Sequence, residues 1–379
     1  MANPSNWSVE RIEREWIEGS LTSLGDRAQY AVRAFQAVDR NLGEDWLLAN
    51  RAASWGTGPS LGIVHLGQCL LAIEGLSGAD ILFAKIRAGD PSALSELEAV
   101  WMFSEVPGVD IELAPDLFVD ASVKKPDFRI RRPGERWTYV EVTRPDMSDA
   151  AQAAQKLLWR LNKVCHVSRS FFMEIFLRRT PEQSEEQFLL TQSLALADSE
   201  AFGRVDVPHL AIITKAPFTG PEVTPLNHPE EDNTCPRFGV ATMISGADGL
   251  QPRRLVSVRM PFTDDRADRF IKSEAKQLSR EEQGLIMMDM SAARSGMRAW
   301  VPLLGRRLQP NLHTRVGGLC LFTKGIEPGH SSLQLLFEIA TIANPHTPQP
   351  LPSWIWETLS ARAIKDNAKR TVPHSTTLA

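Results

Sequence analysis

Short apolar strands alternate with helices along most of the chain between residues 90 and 345. Phe171–Leu177 and Leu333–Ile342 are largely apolar runs, whereas many of the segments between strands show helical spacing of apolar and polar residues. Strands of this kind need helices packed on a sheet to cover them. The pattern therefore predicts an α/β domain over residues 89–345, with a mixed central sheet flanked by helices.

The segments on either side of that domain do not show this alternation of strands and helices. Apolar positions recur at helical spacing from Ile12 to Leu21, and the apolar run Ile63–Ile73 fits a buried helix. We therefore expect a helical N-terminal region over residues 1–88. Residues 346–379 begin with prolines, and we expect them to form one Trp-containing helix and a polar tail.

Composition excludes several classes of protein. Hydrophobic residues make up 43% and charged residues 23% of the 379, which is typical of a globular chain, and no stretch approaches the ~18 apolar residues of a membrane span. No phosphate-binding loop, HExxH zinc motif or GxGxxG fingerprint is present. The four cysteines form no CxxC pair, so we expect reduced, mostly buried thiols in a cytoplasmic protein without a membrane partner.

The net charge of −4 conceals two basic blocks. Residues 121–170 carry 11 Lys+Arg against 5 Asp+Glu, and residues 251–330 carry 14 against 8. In the second block, Arg269, Lys272, Lys276 and Arg280 recur at helical spacing and form a basic stripe. A near-neutral chain can therefore still present a local phosphate-binding surface. The alternative is an ordinary solvated helix face.

The most informative string is KKPDFRIRRPGERWTYVEVTRPD, Lys124 to Asp146. Two strands joined by a Pro-Gly turn form a hairpin, with Asp127 near the start of the first strand and Glu141 near the end of the second. Two carboxylates can therefore converge at one edge. Because side chains alternate along a strand, Glu141 and Thr143 share a face, whereas Val140 and Val142 point into the opposite layer.

In these residues the chain resembles the PD-(D/E)XK nuclease superfamily, which has the restriction-endonuclease-like fold. The resemblance rests on Pro126-Asp127, thirteen intervening residues, and Glu141-Val142-Thr143. It implies that Asp127 and Glu141 bind Mg²⁺ or Mn²⁺ in a nuclease acting on DNA or RNA. Glu96 and Glu98 lie on the preceding predicted helix, where the family often places a further carboxylate. A role in bacterial defence or genome maintenance is implied by the resemblance alone.

Thr143 departs from the family motif, which has Lys at this position. A neutral hydroxyl supplies no positive charge, so another cation has to take that role in an active enzyme. Lys125, two residues before Asp127, and Lys156, on the helix after Glu141, are the candidates. The alternative, which Thr143 favours, is a nuclease-fold module that binds nucleic acid or a partner protein without cutting.

Basic residues near the hairpin and on the stripe are candidates for nucleic-acid contact. They are Lys124, Arg129, Arg269, Lys272 and Lys276. His313 lies near a basic segment and can also touch phosphate. The alternative without a functional role is that the hairpin carboxylates and these cations all lie on solvated surfaces. The N-terminal helical region is where we expect a regulatory partner or a second copy of the chain to bind.

Overall fold

The computed structural model describes residues 28–46, 59–162, 170–217, 237–246, 249–260, 266–293, 297–328 and 333–363. Its helices are α1 Ala28–Leu42, α2 Pro59–Ile73, α3 Ala79–Arg87, α4 Ala93–Ser104, α5 Asp149–Leu161, α6 Gln183–Asp198, α7 Arg266–Glu274, α8 Met297–Gly305 and α9 Ser353–Arg362. Helices α1 to α3 fall in the predicted helical N-terminal region, and α9 is the predicted Trp-containing helix.

Thirteen strands are described. They are β1 Asp110–Leu113, β2 Leu117–Val119, β3 Ser122–Lys124, β4 Phe128–Arg131, β5 Thr138–Thr143, β6 Phe171–Leu177, β7 Gly203–Val207, β8 Ala211–Ala216, β9 Arg237–Gly246, β10 Gly249–Arg259, β11 Gln283–Asp289, β12 Gly318–Pro328 and β13 Leu333–Ala343. Helices and strands alternate along the chain, and the predicted α/β class with a mixed central sheet is confirmed.

The chain divides into two compact units. The first comprises residues 1–145, 266–291 and 301–379, and the second comprises residues 146–265 and 292–300. The boundaries that the sequence predicts near residues 88 and 345 both fall within the first unit.

The first unit is built on a mixed six-stranded sheet with the order β1-β4-β5-β11-β12-β13. Strand β11 runs parallel to β5 and β12, and the remaining neighbours are antiparallel. Val140, Val142 and Met287 belong to a buried apolar cluster that also includes residues of α1 to α4 and α9. These helices therefore cover one face of the sheet. Glu141 and Thr143 alternate with the core valines and face the other side, where α7 contacts β5.

The second unit has its own five-stranded sheet, in the order β7-β8-β6-β10-β9, and its own apolar core. Strand β6 is buried along its whole length and pairs in parallel with β10. The Ser148 hydroxyl caps helix α5 by accepting a hydrogen bond from the Ala151 amide, 3.1 Å away, as is usual for Ser at this position.

Two of the four cysteines lie within the described residues. Cys69 and Cys320 are both free and buried, whereas Cys165 and Cys235 lie outside the described residues. Within the described ranges, no helix combines the length and the apolar character that crossing a bilayer requires.

Candidate active site

Asp127 is fixed at the point where the chain enters β4. Its Oδ2 accepts a hydrogen bond from the backbone amide of Val142 at 2.7 Å, which ties it to the far end of β5. Phe128 pairs with Val140 across the hairpin, so the next position along sets Asp127 beside Glu141. The hairpin therefore brings together the two carboxylates that the sequence predicts to converge. Burial raises the pKa of Asp127, although the Val142 amide and Lys85 act in the opposite direction.

Glu141 is the most perturbed carboxyl of the group. It is only 5% exposed, and its Oε1 has no hydrogen-bond partner. Burial raises the pKa of Glu141 to about 10, and the neighbouring carboxylates of Asp127, Glu274 and Glu96 add to that rise. At neutral pH the group is therefore protonated, because a second or third negative charge in this buried place is unfavourable.

Two further carboxyls join the pair from helices on different parts of the chain. Glu96 comes from α4 and is buried, and burial together with Asp127 raises its pKa to about 7. Glu274 is the last residue of α7, and burial followed by Asp127 raises its pKa to about 7 as well. We refer to Glu96, Asp127, Glu141 and Glu274 as the carboxylate cluster.

Lys85 supplies positive charge to the cluster. Its Nζ lies 2.8 Å from Glu96 Oε2 and 3.6 Å from Asp127 Oδ1. Burial opposes the ammonium charge, but the hydrogen bond and attraction of Glu96, together with Asp127, outweigh burial and raise the pKa of Lys85. The structure thus places a charged lysine beside the carboxylates, and it comes from α3, a helix outside the recognisable motif.

The cations named from the sequence lie elsewhere. Lys125 Nζ is 3.8 Å from Asp116 Oδ1, and both side chains are about two-thirds exposed. Lys156 is an exposed residue of α5, in the second unit. Thr143 does reach the cluster, where its hydroxyl forms a hydrogen bond with the Glu274 carboxylate and opposes the rise in the pKa of Glu274.

The structure separates Glu98 from the carboxylate cluster. Its carboxylate forms an ion pair with Lys324, and Oε1 lies 3.8 Å from Nε2 of His65. Burial raises the pKa of Glu98, and Lys324 opposes that rise. Burial, followed by the nearby Lys324 charge, lowers the pKa of His65 to about 3, so the imidazole is neutral. Glu98 therefore belongs to a second buried polar group on the same helix.

Three of the candidate nucleic-acid residues line one basic cleft in the first unit. Lys124, Lys272 and Lys276 border a volume of about 450 Å³. Arg269 is exposed on α7 but does not line the cleft. Arg129 instead forms an ion pair with Glu112 at 2.5 Å and lies over the ring of Trp137, at 4.3 Å from its centroid.

Sequence reasoning missed Lys85 and Glu274. Lys85 lies eleven residues before Glu96 on a separate helix, and Glu274 is an acid inside the basic stripe. Neither position carries a local motif. A single acid between the stripe residues Lys272 and Lys276 is a weak signal that could have drawn attention to Glu274.

Carboxylate oxygens are the ligands that Mg²⁺ and Mn²⁺ prefer, so the chemistry of the cluster suits such an ion. The unpartnered Oε1 of Glu141 is a buried acceptor that a cation would satisfy. In the described part of the chain, no group of three or more His, Cys, Asp or Glu side chains is arranged so that it could hold a metal ion. Comparison of the chain with protein-family models, curated proteins and solved structures finds no match.

Proposed function

We propose that the chain is a metal-dependent nuclease of the PD-(D/E)XK type that hydrolyses phosphodiester bonds in DNA or RNA. The observation that carries the proposal is that Asp127 and Glu141, with thirteen residues between them in the sequence, come together in a buried place beside an acid from α4 and a lysine from α3. Strongly perturbed acids gathered around one point are typical of catalytic sites.

Asp127 and Glu141 would hold Mg²⁺ or Mn²⁺, with Glu96 and Glu274 in support. Such an ion, when bound, supplies polarisation of a phosphoryl oxygen and a lowered pKa for a bound water. Glu96, with a pKa of about 7, can accept a proton near neutral pH. The Lys85 ammonium can stabilise negative charge that grows on the phosphate, which Thr143 cannot do.

The alternative function is a nuclease-fold module that binds nucleic acid or a partner protein without cutting. Thr143 favours it, because the motif lysine is absent and the hydroxyl is engaged by Glu274. We also propose a role in bacterial defence or genome maintenance, and a regulatory partner or a second copy of the chain bound to the N-terminal helices.

A cleavage assay separates the two functions. Labelled single- and double-stranded DNA and RNA are incubated with the full chain in Mg²⁺, Mn²⁺ or EDTA. We expect cutting in the presence of either metal, none in EDTA, and a loss to background in Asp127→Ala/Glu141→Ala. Asp116→Ala is the matched control, because that carboxylate is largely exposed and pairs only weakly with Lys125. Cutting that survives in the double variant contradicts the site, and binding without cutting under every condition favours the module.

A further inference from the structure

The basic cleft is strongly cationic for its size. The β2–β3 hairpin, the end of α7 with the turn after it, and residues 311–315 form its walls. Its volume of about 450 Å³ falls within the ~300–1,000 Å³ of small-ligand sites. Five cations line it against one carboxylate, that of Asp120; they are Lys124, Lys272, Lys276, Arg280 and Arg315.

Most of this positive charge is not neutralised by close ion pairs. Arg315 contacts Asp120 at 2.5 Å and also donates to the backbone oxygen of Leu278. Among the described residues, the other four cations have no carboxylate within 4 Å. Like charges held together in this way repel one another, which is unfavourable unless an anion binds between them.

A tight turn forms part of the cleft. Asp120 and Ala121 are the two turn residues of the β2–β3 hairpin, and their φ angles of 47° and 64° are the positive values that such a turn requires. His313 also has a positive φ, 59°. Asp120 and His313 line the cleft, and Ala121 lies between two residues that do.

The cleft and the carboxylate cluster share two segments of the chain. Lys124 precedes Asp127 by three residues, and Glu274 lies between Lys272 and Lys276 in the sequence. No Phe, Tyr or Trp side chain of the described residues lines the cleft, which therefore suits a phosphate better than a stacked base.

We propose that this cleft binds the terminal phosphate monoester of a nucleic-acid strand, which makes the protein selective for phosphorylated ends. The inference rests on the proposed nuclease function for the identity of the polymer. A terminal monoester carries a charge of about −1.5 to −2, against −1 for an internal diester, and so matches five cations in one small volume better. Anchored there, the end of the strand would lead the neighbouring diester toward the carboxylate cluster.

The test measures binding in EDTA, so that its result does not depend on cutting. Fluorescence anisotropy of the full chain is recorded with one oligonucleotide sequence that carries a 5′-phosphate, a 3′-phosphate or only hydroxyl ends. We expect one phosphorylated end to bind at least about tenfold more tightly than the hydroxyl form, since charge-assisted hydrogen bonds to phosphate are strong. Inorganic phosphate is included as a competitor to distinguish a strand end from a free phosphate.

Matched variants locate the effect. Lys272→Ala/Lys276→Ala should abolish the preference, and Lys272→Arg/Lys276→Arg should retain it. Arg136→Ala/Arg306→Ala removes the same charge from exposed positions outside the cleft and should also retain it. Equal affinity for phosphorylated and hydroxyl ends, equal loss in the control variant, or inorganic phosphate that binds as tightly as the oligonucleotide would each overturn the proposal. If the protein prefers phosphorylated ends but cuts nothing, the proposed binding in the cleft is supported and only the nuclease proposal is contradicted.

Discussion

In the proposed nuclease, Lys85 would supply the positive charge that Thr143 cannot. It approaches the carboxylate cluster from α3, whereas the family pattern would place a cation at residue 143 on β5. Its charge is held by Glu96 and Asp127, so it is available close to where a phosphate would react. The positive charge can therefore be supplied by a different element without a change in the two core carboxylates.

Removing the Lys85 ammonium should slow cleavage much more than it weakens substrate binding. We expect Lys85→Met to reduce kcat by about 100-fold or more, as is usual when a group that stabilises transition-state charge is lost, with a smaller change in KM. Lys125→Met is the control, since its ammonium lies beside Asp116 in solvent. Steady-state kinetics on one labelled oligonucleotide measures both variants, and equal rates for them would exclude Lys85 from the reaction.

Glu141 makes folding depend on pH in a defined direction. Its pKa is about 10 in the fold, against about 4.5 in the unfolded chain. A raised carboxyl pKa favours the folded state while the group stays protonated, so its contribution is fully present below pH 4.5 and is lost as the pH rises toward 10. The side chain of Glu141→Gln cannot ionise, so the free energy of unfolding of this variant should not fall with rising pH for this reason.

Chemical denaturation of wild type and Glu141→Gln at pH 5 and pH 8, without metal, checks this direction. We expect the variant to gain at least about 1 kcal/mol relative to wild type between the two pH values, the equivalent of one pKa unit. The comparison cancels the ionisable groups that do not interact with Glu141. If the difference in the free energy of unfolding between the two proteins does not change with pH, the pKa of Glu141 is not raised in the fold.

The residues of the hairpin could be predicted from the sequence, but their helical partners could not. Asp127 and Glu141 are linked by a short local hairpin whose pairing follows from alternation and a Pro-Gly turn. Lys85 and Glu274 join them through packing between elements that are distant along the chain, which no local pattern encodes. The sequence likewise gave no means of choosing between Glu96 and Glu98.

At the scale of elements, α4 separates its two glutamates by geometry. Residues two apart on a helix point about 200° away from each other, so Glu96 enters the carboxylate cluster while Glu98 meets Lys324. We expect Glu96→Gln to lower metal-dependent cutting by at least about tenfold, a typical effect of disturbing a group that supports metal ligands.

Glu98→Gln is the matched control on the same helix. We expect it to destabilise the fold, because Lys324 loses its charged partner, and to leave the cutting rate per folded molecule close to wild type. Activity and thermal unfolding are measured on both variants. The opposite pattern, with cutting lost in Glu98→Gln alone, would move the reaction to the second buried group.

The contact between α1 and α2 depends on a glycine. A Cβ added at Gly67 would lie 2.1 Å from the backbone oxygen of Ala34, a residue buried in α1. Gly67→Ala must push the two helices apart, and we expect a loss of about 1–3 kcal/mol in the free energy of unfolding. Gly75→Ala is the control, because nothing lies within 4 Å of its added Cβ. Urea denaturation compares them, and equal stabilities would contradict the close approach.

Most individual elements follow from the sequence because their signals are local. Strand β6 matches the predicted Phe171–Leu177, and α5 begins at its predicted cap. Strand β7 and helix α8 were missed: the first is short and mostly exposed, and the second contains Pro302, which argues against a helix interior. Helix α8 therefore forms despite an unfavourable local residue.

At the scale of the whole molecule, the sequence indicates the class but not the division into sheets. Alternation of strands and helices predicts an α/β fold from local pattern alone. Which strands pair is decided by long-range contacts, and β5 with β11 pairs residues more than 140 apart. The described residues therefore form three sheets, of six, five and two strands, where the sequence predicts one central sheet. Long-range contacts also bring the two basic blocks together. The first contributes Lys124 to the basic cleft, and the second contributes α7 with the turn after it.

The central claim is that the carboxylate cluster binds a divalent cation. Calorimetric titration of Mn²⁺ at pH 7, in two buffers of different ionisation heat, tests it most directly. Because Glu141 is protonated at this pH and Glu96 and Glu274 have pKa values near 7, binding must displace protons. We predict saturable binding to wild type with net proton release, and loss of both in Asp127→Asn. No binding to wild type, or an unchanged isotherm in Asp127→Asn, would contradict the account.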